Sequence, residues 1–593
     1  MDIAKRSSGC SLSKWVYKEK IASLLDGEDR KRLKAIYEPV VIGVMPEDAR
    51  RGLCVMPDGE IRSYGIYDKI HLWDAEGAKG CYLSSYNGGL DWRFRTTVPG
   101  CLGAASRDPD TGRWMTVKAV KDEGTYCFLS DIGPDDTEFK RVKITDLILG
   151  DEFQPVKMKS GRWFCTAHHT ERPGNDMHPV FMYSDDNGES WTTKVFPSTP
   201  KHSPVWPDLQ HRWQNNGSEP SAAELPDGRL MMVARTSLDH LFVYYSQDGG
   251  ESWTDGVESD FCCTTTTPYL LALEDGRTLL FWNNARPLSE RRRDFVEPPL
   301  SDVEIAGLLE DVFTNRDVNH CAVTENGRDW FGVRELFLSA IRNEADYRSK
   351  GGRYSSADKS VHQFQALELP YNKILVEFGQ HQVSRKMVIF DVNWLYEKER
   401  HEDFELGLEH ISNHMFVKSV SGCHFDTLPG HCAWNRVPGA LLMPSPDRDY
   451  SEVLQIGRVH DKRLYCEKQG AVWAFPSAQK GRVNIRMMVL GAGLRISLCG
   501  VWLNPCEEYA SEFAAFHCDL DGRCVEKNIW HNIIIEFDCT ARRAVVYDGE
   551  KCLFSLRMTA EAPLGLMYLH MQTLAEEEDF DGTCVKRMDF EAL

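Results

Sequence analysis

The sequence predicts an all-β chain, a six-bladed β-propeller followed by a β-sandwich of jelly-roll type. Three observations carry this. A turn pattern, Ser/Thr-x-Asp/Asn-x-Gly-x-x-Trp, recurs at 85–92, 184–191 and 246–253, and residues 324–330 repeat it one residue short. Each copy follows a short apolar strand. The tight-turn signals Pro57-Asp58-Gly59, Pro226-Asp227-Gly228 and Glu274-Asp275-Gly276 fall between the strands ahead of them, as a repeated strand–turn–strand unit requires. From about residue 420 the pattern stops and strands such as 483–490, 530–538, 543–549 and 566–573 take over, which suits a sandwich.

In chain order, residues 1–39 read as a helical cap, with helical stretches at 18–25 and 29–36. Residues 40–396 hold the repeats. Pattern starts fall at 85, 184, 246 and 324, Ser130-Asp131-Ile132-Gly133 is a degenerate blade end, and Phe390 to Trp394 supplies a last one, giving six units. The glycine and aspartate permit the tight turn and the tryptophan is expected between blades. These turns are therefore structural and belong on the rim away from the functional face. The most informative stretch is 217–253. Leu230 to Ala234 is a continuous apolar run, as where both faces of a strand are buried. Glu219 and Arg235 stand at the ends of neighbouring strands (235 − 219 = 16), where a carboxylate and a guanidinium can share a pocket. Residues 286–315 form a charged insertion with a helical stretch, 397–420 a linker (charged and helical over 395–412), and 421–593 the sandwich.

The chain has 593 residues and a formal charge of −20, too long for one core and too acidic for nucleic acid as the main partner. The basic runs Arg30-Lys31-Arg32 and Arg291-Arg292-Arg293 read as solvated surface. No segment approaches the roughly 18–20 apolar residues that span a bilayer, so no membrane partner is expected. Nineteen cysteines at irregular spacings, without a C-x-x-C, argue against a zinc knuckle. No metal or other cofactor is expected. The segment from Met1 to Ser7 lacks the apolar core of a signal peptide. The expectation is a cytoplasmic protein with reduced thiols, or a secreted one if a leader has been trimmed.

The turn pattern resembles the Asp-box of the sialidase (neuraminidase) superfamily, whose members are propellers. The succession Trp530-His531 … Asp538 … Asp548-Gly549 resembles concanavalin-like, lectin-like sandwiches, which in several sialidases bind glycans; a packing partner for the propeller is the other reading. The resemblance implies arginines that hold the carboxylate of the sugar, because a planar guanidinium makes bidentate bonds that lysine cannot copy. Arg235 and Arg316 match the second and third of these. The first falls on Arg50 or Arg51, in a motif that departs from the family's. Asp74 matches the acid/base aspartate by its distance from the turn glycine (74 − 59 = 15) and from the first Asp-box (85 − 74 = 11), with Asp68 as fallback and Trp73 as an apolar wall that would raise its pKa. Glu219 matches the glutamate that takes the proton of a nucleophilic tyrosine.

The tyrosine itself is missing from the expected window, which reads Lys359-Ser360-Val361-His362-Gln363. Either Tyr354 is the nucleophile or His362 replaces it. His168 and His169, with Glu171, and Gln380 and His381 are expected on the active face as substrate contacts, and His320 near another blade end. The function these residues imply is an exo-glycosidase for a terminal acidic sugar, most readily α-sialic acid. The alternatives are a lyase or unusual glycosidase using histidine on another acidic sugar, and a non-catalytic glycan-binding propeller.

Overall fold

The computed structural model describes residues 17–46, 49, 52–67, 79–150, 154–171, 176–203, 205, 216–287, 289, 316–338, 361–379, 385–416, 436–459 and 468–593. Two helices come first, Lys18–Leu24 and Gly27–Ala35. Asp26 starts the second by accepting the backbone N–H groups of Glu28 and Asp29 at 2.9 and 2.8 Å, satisfying donors a helix end leaves open. Ile21 and Leu33 are buried among residues of the first and last blades.

Six antiparallel sheets follow. The first is Leu53–Val55, Ile61–Tyr67, Lys79–Ser85 and Arg93–Thr96. The second is Ser106–Arg107, Trp114–Val120, Gly124–Ser130 and Lys140–Thr145. In the third, Leu149–Gly150 and Val156–Lys157 share the inner position beside Trp163–Thr170, Met177–Ser184 and Thr192–Val195. The fourth is Ser221–Glu224, Leu230–Ala234, His240–Ser246 and Val257–Cys262. The fifth is Tyr269–Ala272, Thr278–Trp282, Val318–Thr324 and Phe331–Leu338. The sixth takes Gln365–Leu369, Lys373–Phe378 and Lys386–Asp391, and its outer strand is Val40–Gly43 from the start of the chain. That pairing closes the ring with backbone hydrogen bonds. Inner strands of all six sheets line one axial cavity of about 70 Å³, the geometry of a β-propeller.

The recurring turns sit at the end of each third strand. In the fourth blade the Ser246 hydroxyl accepts the Gly250 N–H at 2.8 Å, Asp248 accepts the Ser252 N–H at 2.8 Å, and the Trp253 indole donates to the Gly250 carbonyl at 3.0 Å. Ser85, Ser184 and Thr324 repeat the first bond, to Gly89, Gly188 and Gly327. The tryptophan leans on the preceding blade: Trp253 lies 4.9 Å from Phe181 and Trp330 5.4 Å from Phe261, ring centre to ring centre. Gly250 has φ +95°, and a Cβ there would stand 2.3 Å from the Phe181 ring. Gly250→Ala is therefore expected to cost about 2–4 kcal/mol, backbone strain and overpacking together, read as a lower denaturant midpoint.

Beyond the propeller two antiparallel sheets, one of eight strands and one of five, pack face to face. Their shared core takes Trp473, Phe475, Ile496 and Leu569 from one and Ile485, Ile535, Val585 and Phe590 from the other. The stretch 395–412 is not a helical linker. After a short 3-10 turn, Val392–Tyr396, strand Glu399–Glu402 adds to the long C-terminal strand and Ile411–Ser412 joins the other sheet. The sandwich thus begins by residue 399, ahead of the expected start at 421. Its charged residues suit an edge strand, which meets solvent on one side.

The sandwich is fastened to the fourth and fifth blades by a continuous apolar layer that includes Val233, Trp282, Val318, Val472, Trp502 and Tyr568. Trp502 is fully buried and its indole donates to Ser412 at 3.0 Å. The backbones lock as well, Trp502 N–H to Asn284 carbonyl at 2.9 Å and Arg286 N–H to Trp502 carbonyl at 3.1 Å. His320 belongs to this seam and not to a cluster of active-face histidines. Its Nδ1 accepts the Asn284 N–H at 2.9 Å, its Nε2 meets the Tyr568 hydroxyl at 2.5 Å, and that hydroxyl donates to Glu335 at 2.8 Å.

Candidate functional site

The recurring turns mark one end of the propeller, and those candidate residues that are described gather at the other. Glu219 precedes the inner strand of the fourth blade and Arg235 follows its neighbour, so the hairpin register sets them side by side. The Gly217 N–H donates to the Arg235 carbonyl and the Arg235 N–H to the Ser218 carbonyl, at 2.9 and 3.3 Å. Their side chains form an ion pair with both groups almost wholly buried. Thr267, ahead of the fifth blade's inner strand, donates to the same carboxylate oxygen at 2.7 Å, and Gln363, ahead of the sixth blade's, donates its amide to the other oxygen at 3.0 Å. Burial holds the Arg235 guanidinium below its usual pKa; Glu219 opposes that shift and Arg316 reinforces it.

Arg316 enters from the fifth blade, fully buried, and donates to the Thr265 carbonyl at 2.7 Å. Two guanidinium groups and one carboxylate thus lie at the tops of adjacent blades, and a guanidinium is a suitable partner for an anion. Three non-glycine residues here carry positive φ: Glu219 (48°), Thr265 (27°) and Gln363 (70°). Each costs about 1–3 kcal/mol and persists only where the surroundings enforce it, a condition met most often at functional sites.

His362 is buried next to Gln363, 1% exposed, and its carbonyl accepts the Gly379 N–H at 2.6 Å. His168 and His169 lie on the third blade's second strand, at the same end of the propeller as Arg235. His168 is buried over Gly150, and His169 stacks on His178 with centroids 6.2 Å apart. His178 is held by the Phe196 carbonyl at 3.0 Å and Glu171 at 3.3 Å. Asp74 with its neighbours Asp68 and Trp73, Arg50, Arg51, Tyr354, Gln380 and His381, and the insertion over 290–315, lie outside the described residues. The loop that carries Asp74 joins Tyr67 to Lys79, two residues that line a cleft of about 930 Å³ on this end, together with Tyr64, Thr96, Lys118 and Gln154.

Thr267 and Gln363 had no place in the sequence reading, though a signal existed. Each stands two positions before the inner strand of its blade, as Glu219 does (221 − 219, 269 − 267 and 365 − 363). A second carboxyl group lies deeper. Glu377 is fully buried in the sixth blade, where Ser63 and Gln365 donate to its Oε2 at 3.0 and 2.6 Å. Burial pushes its pKa up to about 8, against those two hydrogen bonds. The folded protein then keeps this proton while the unfolded chain loses it above about pH 4.5, so stability falls as pH rises from there to about 8. Glu377→Gln is expected to flatten that decline in a series of thermal melts.

A family model described as a BNR repeat-like domain matches residues 140–334. Over 184 residues the chain is 27% identical to a sialidase of Paraclostridium sordellii, covering 29% of this chain and 41% of that protein. Over 86 residues it is 31% identical to an anhydrosialidase of Macrobdella decora, covering 14% of this chain and 10% of that protein. The chain thus spans less than half the length of either relative. Among solved structures, Trypanosoma rangeli sialidase in complex with 2,3-difluorosialic acid aligns over 94% of this chain and 91% of its own at 12% identity, TM-score 0.32. A Dyadobacter fermentans protein of unknown function aligns over 60% of this chain and 97% of its own at 16% identity, TM-score 0.38. The match to the BNR repeat-like family thus runs from the outer strand of the second blade into that of the fifth, and over this part the chain's repeated turns and propeller sheets are similar to those of the sialidase (BNR-repeat) superfamily.

Proposed function

We propose that the chain is an exo-acting glycosidase that removes a terminal acidic sugar, with α-sialic acid the leading substrate. The observation that carries this is the buried set of Arg235, Arg316 and Glu219 on adjacent blades. In this reading the two guanidinium groups take the carboxylate of the sugar through charge-assisted bonds, with Arg50 or Arg51 as a third. Asp74 protonates the leaving oxygen, and Glu219 receives the proton of the group that attacks the anomeric carbon. Tyr354 is that group in the simplest form. His168, His169, Gln380 and His381 serve as substrate contacts in the same reading. The similarity to proteins named sialidase supports a glycoside hydrolase of this kind.

His362, buried beside the amide that holds Glu219, favours a second reading in which a histidine carries the proton step on the same or another acidic sugar. Release of a fluorophore from a 4-methylumbelliferyl α-sialoside separates the readings. Turnover lost in Glu219→Gln and Tyr354→Phe but kept in His362→Ala supports the tyrosine route. Survival of Tyr354→Phe with loss in His362→Ala supports the histidine. A wild type without turnover rejects the sialidase reading, and uronate-terminated oligosaccharides become the substrates to try.

A further inference from the structure

The position of Gln363 assigns it a role in the acidic-sugar site, and the assignment rests on the function proposed above. Gln363 is 4% exposed, keeps a left-handed backbone at φ 70°, and directs its amide nitrogen to Glu219 Oε1 at 3.0 Å. Thr267 and Arg235 hold the opposite oxygen, Oε2. The carboxylate is therefore gripped on both oxygens, from three successive blades.

The two grips differ in kind. Arg235 supplies charge and Thr267 a hydroxyl, and both fix one oxygen. The amide of Gln363 is neutral at every pH of interest and donates from the other side, so it sets the rotation of the carboxylate without adding charge. Among the described residues, the charged or titratable side chains around this group include Arg235 on its own blade, Cys263 just after that blade's outer strand, Arg316 from the fifth blade and His362 beside Gln363 on the sixth. A neutral donor adds no charge beside the arginines, whereas a carboxylate in its place would add a negative one.

We infer that Gln363 is the positioning residue of Glu219: it holds the carboxylate at the angle needed to receive a proton and keeps the sixth blade's approach to it uncharged. Two variants test this. Gln363→Glu puts a second carboxyl group against Glu219, and carboxyls that close share a proton until pH forces both to ionise. Measured relative to wild type, the melting temperature of Gln363→Glu is expected to fall as pH rises from about 5 to about 8, whereas Gln363→Met stays at a constant offset. On the fluorogenic α-sialoside, Gln363→Met is expected to lower kcat by about 10- to 100-fold with KM within about threefold of wild type.

Melting curves of Gln363→Glu that run parallel to wild type across this range overturn the inference, and so does Gln363→Met with kcat within about twofold of wild type. If the wild type turns over no α-sialoside, the sialidase reading has failed on its own account. The melting series needs no substrate and still decides whether Gln363 acts on Glu219.

Discussion

Arg235→Met is expected to abolish turnover of an acidic glycoside and to melt the protein at a lower temperature. The side chain is almost wholly buried against Glu219, so its loss leaves a buried carboxylate without the guanidinium paired to it. Breaking one side of a buried pair costs about 3–5 kcal/mol, and capture of the substrate carboxylate loses a charge-assisted bond as well. The two effects separate in the double variant Glu219→Gln with Arg235→Met. Removing both charges is expected to restore most of the melting temperature, because neither member of the pair is then left charged without the other, while activity stays lost. A double variant no more stable than Arg235→Met contradicts this account of the pair.

The second large effect is expected far from the pocket. Trp502 fills the seam between sandwich and propeller, fully buried, with its backbone bonded to Asn284 and Arg286 and its indole to Ser412. Truncating a buried tryptophan costs about 3–5 kcal/mol, and here the loss falls on the layer joining two bodies. Trp502→Ala is expected to split one calorimetric transition into two, the sandwich and the propeller melting apart. Acid should weaken the same seam in the wild type. Burial pushes the His320 pKa down to about 3, so between its ordinary value of about 6.5 and that point the unfolded chain takes up a proton the folded one refuses. Stability therefore falls as pH drops through that window, and His320→Gln should soften the fall. A single transition in Trp502→Ala at an unchanged temperature rules out the seam as the main join.

The propeller was legible because its defining turn is local chemistry. A serine or threonine hydroxyl, an Asp or Asn carboxyl or amide and a left-handed glycine make their bonds within a few residues, so each copy announces itself in sequence. Glu219 and Arg235 were legible for a related reason, since one hairpin brings them together. Thr267 and Gln363 reach Glu219 across sequence gaps of 48 and 144 residues, through a ring whose closure no local pattern encodes. The stretch 395–412 was misread as helical because its charges mimic a solvated helix, when a vacant sheet edge in the sandwich draws part of it into a strand. His320 does stand near a blade end, but its partner, Tyr568, lies 248 residues away and claims it for the seam, which no local pattern shows.

The most direct test of the carboxylate-holding site is calorimetric titration with N-acetylneuraminic acid and, in parallel, with its methyl ester. If Arg235 and Arg316 recognise the carboxylate, the acid is expected to bind about 10- to 100-fold more tightly than the ester, the worth of about 1.4–2.7 kcal/mol of charge-assisted bonding, and Arg316→Met should erase the difference. Equal affinity for acid and ester, or a preference that survives Arg316→Met, would contradict the claim that these arginines form the site.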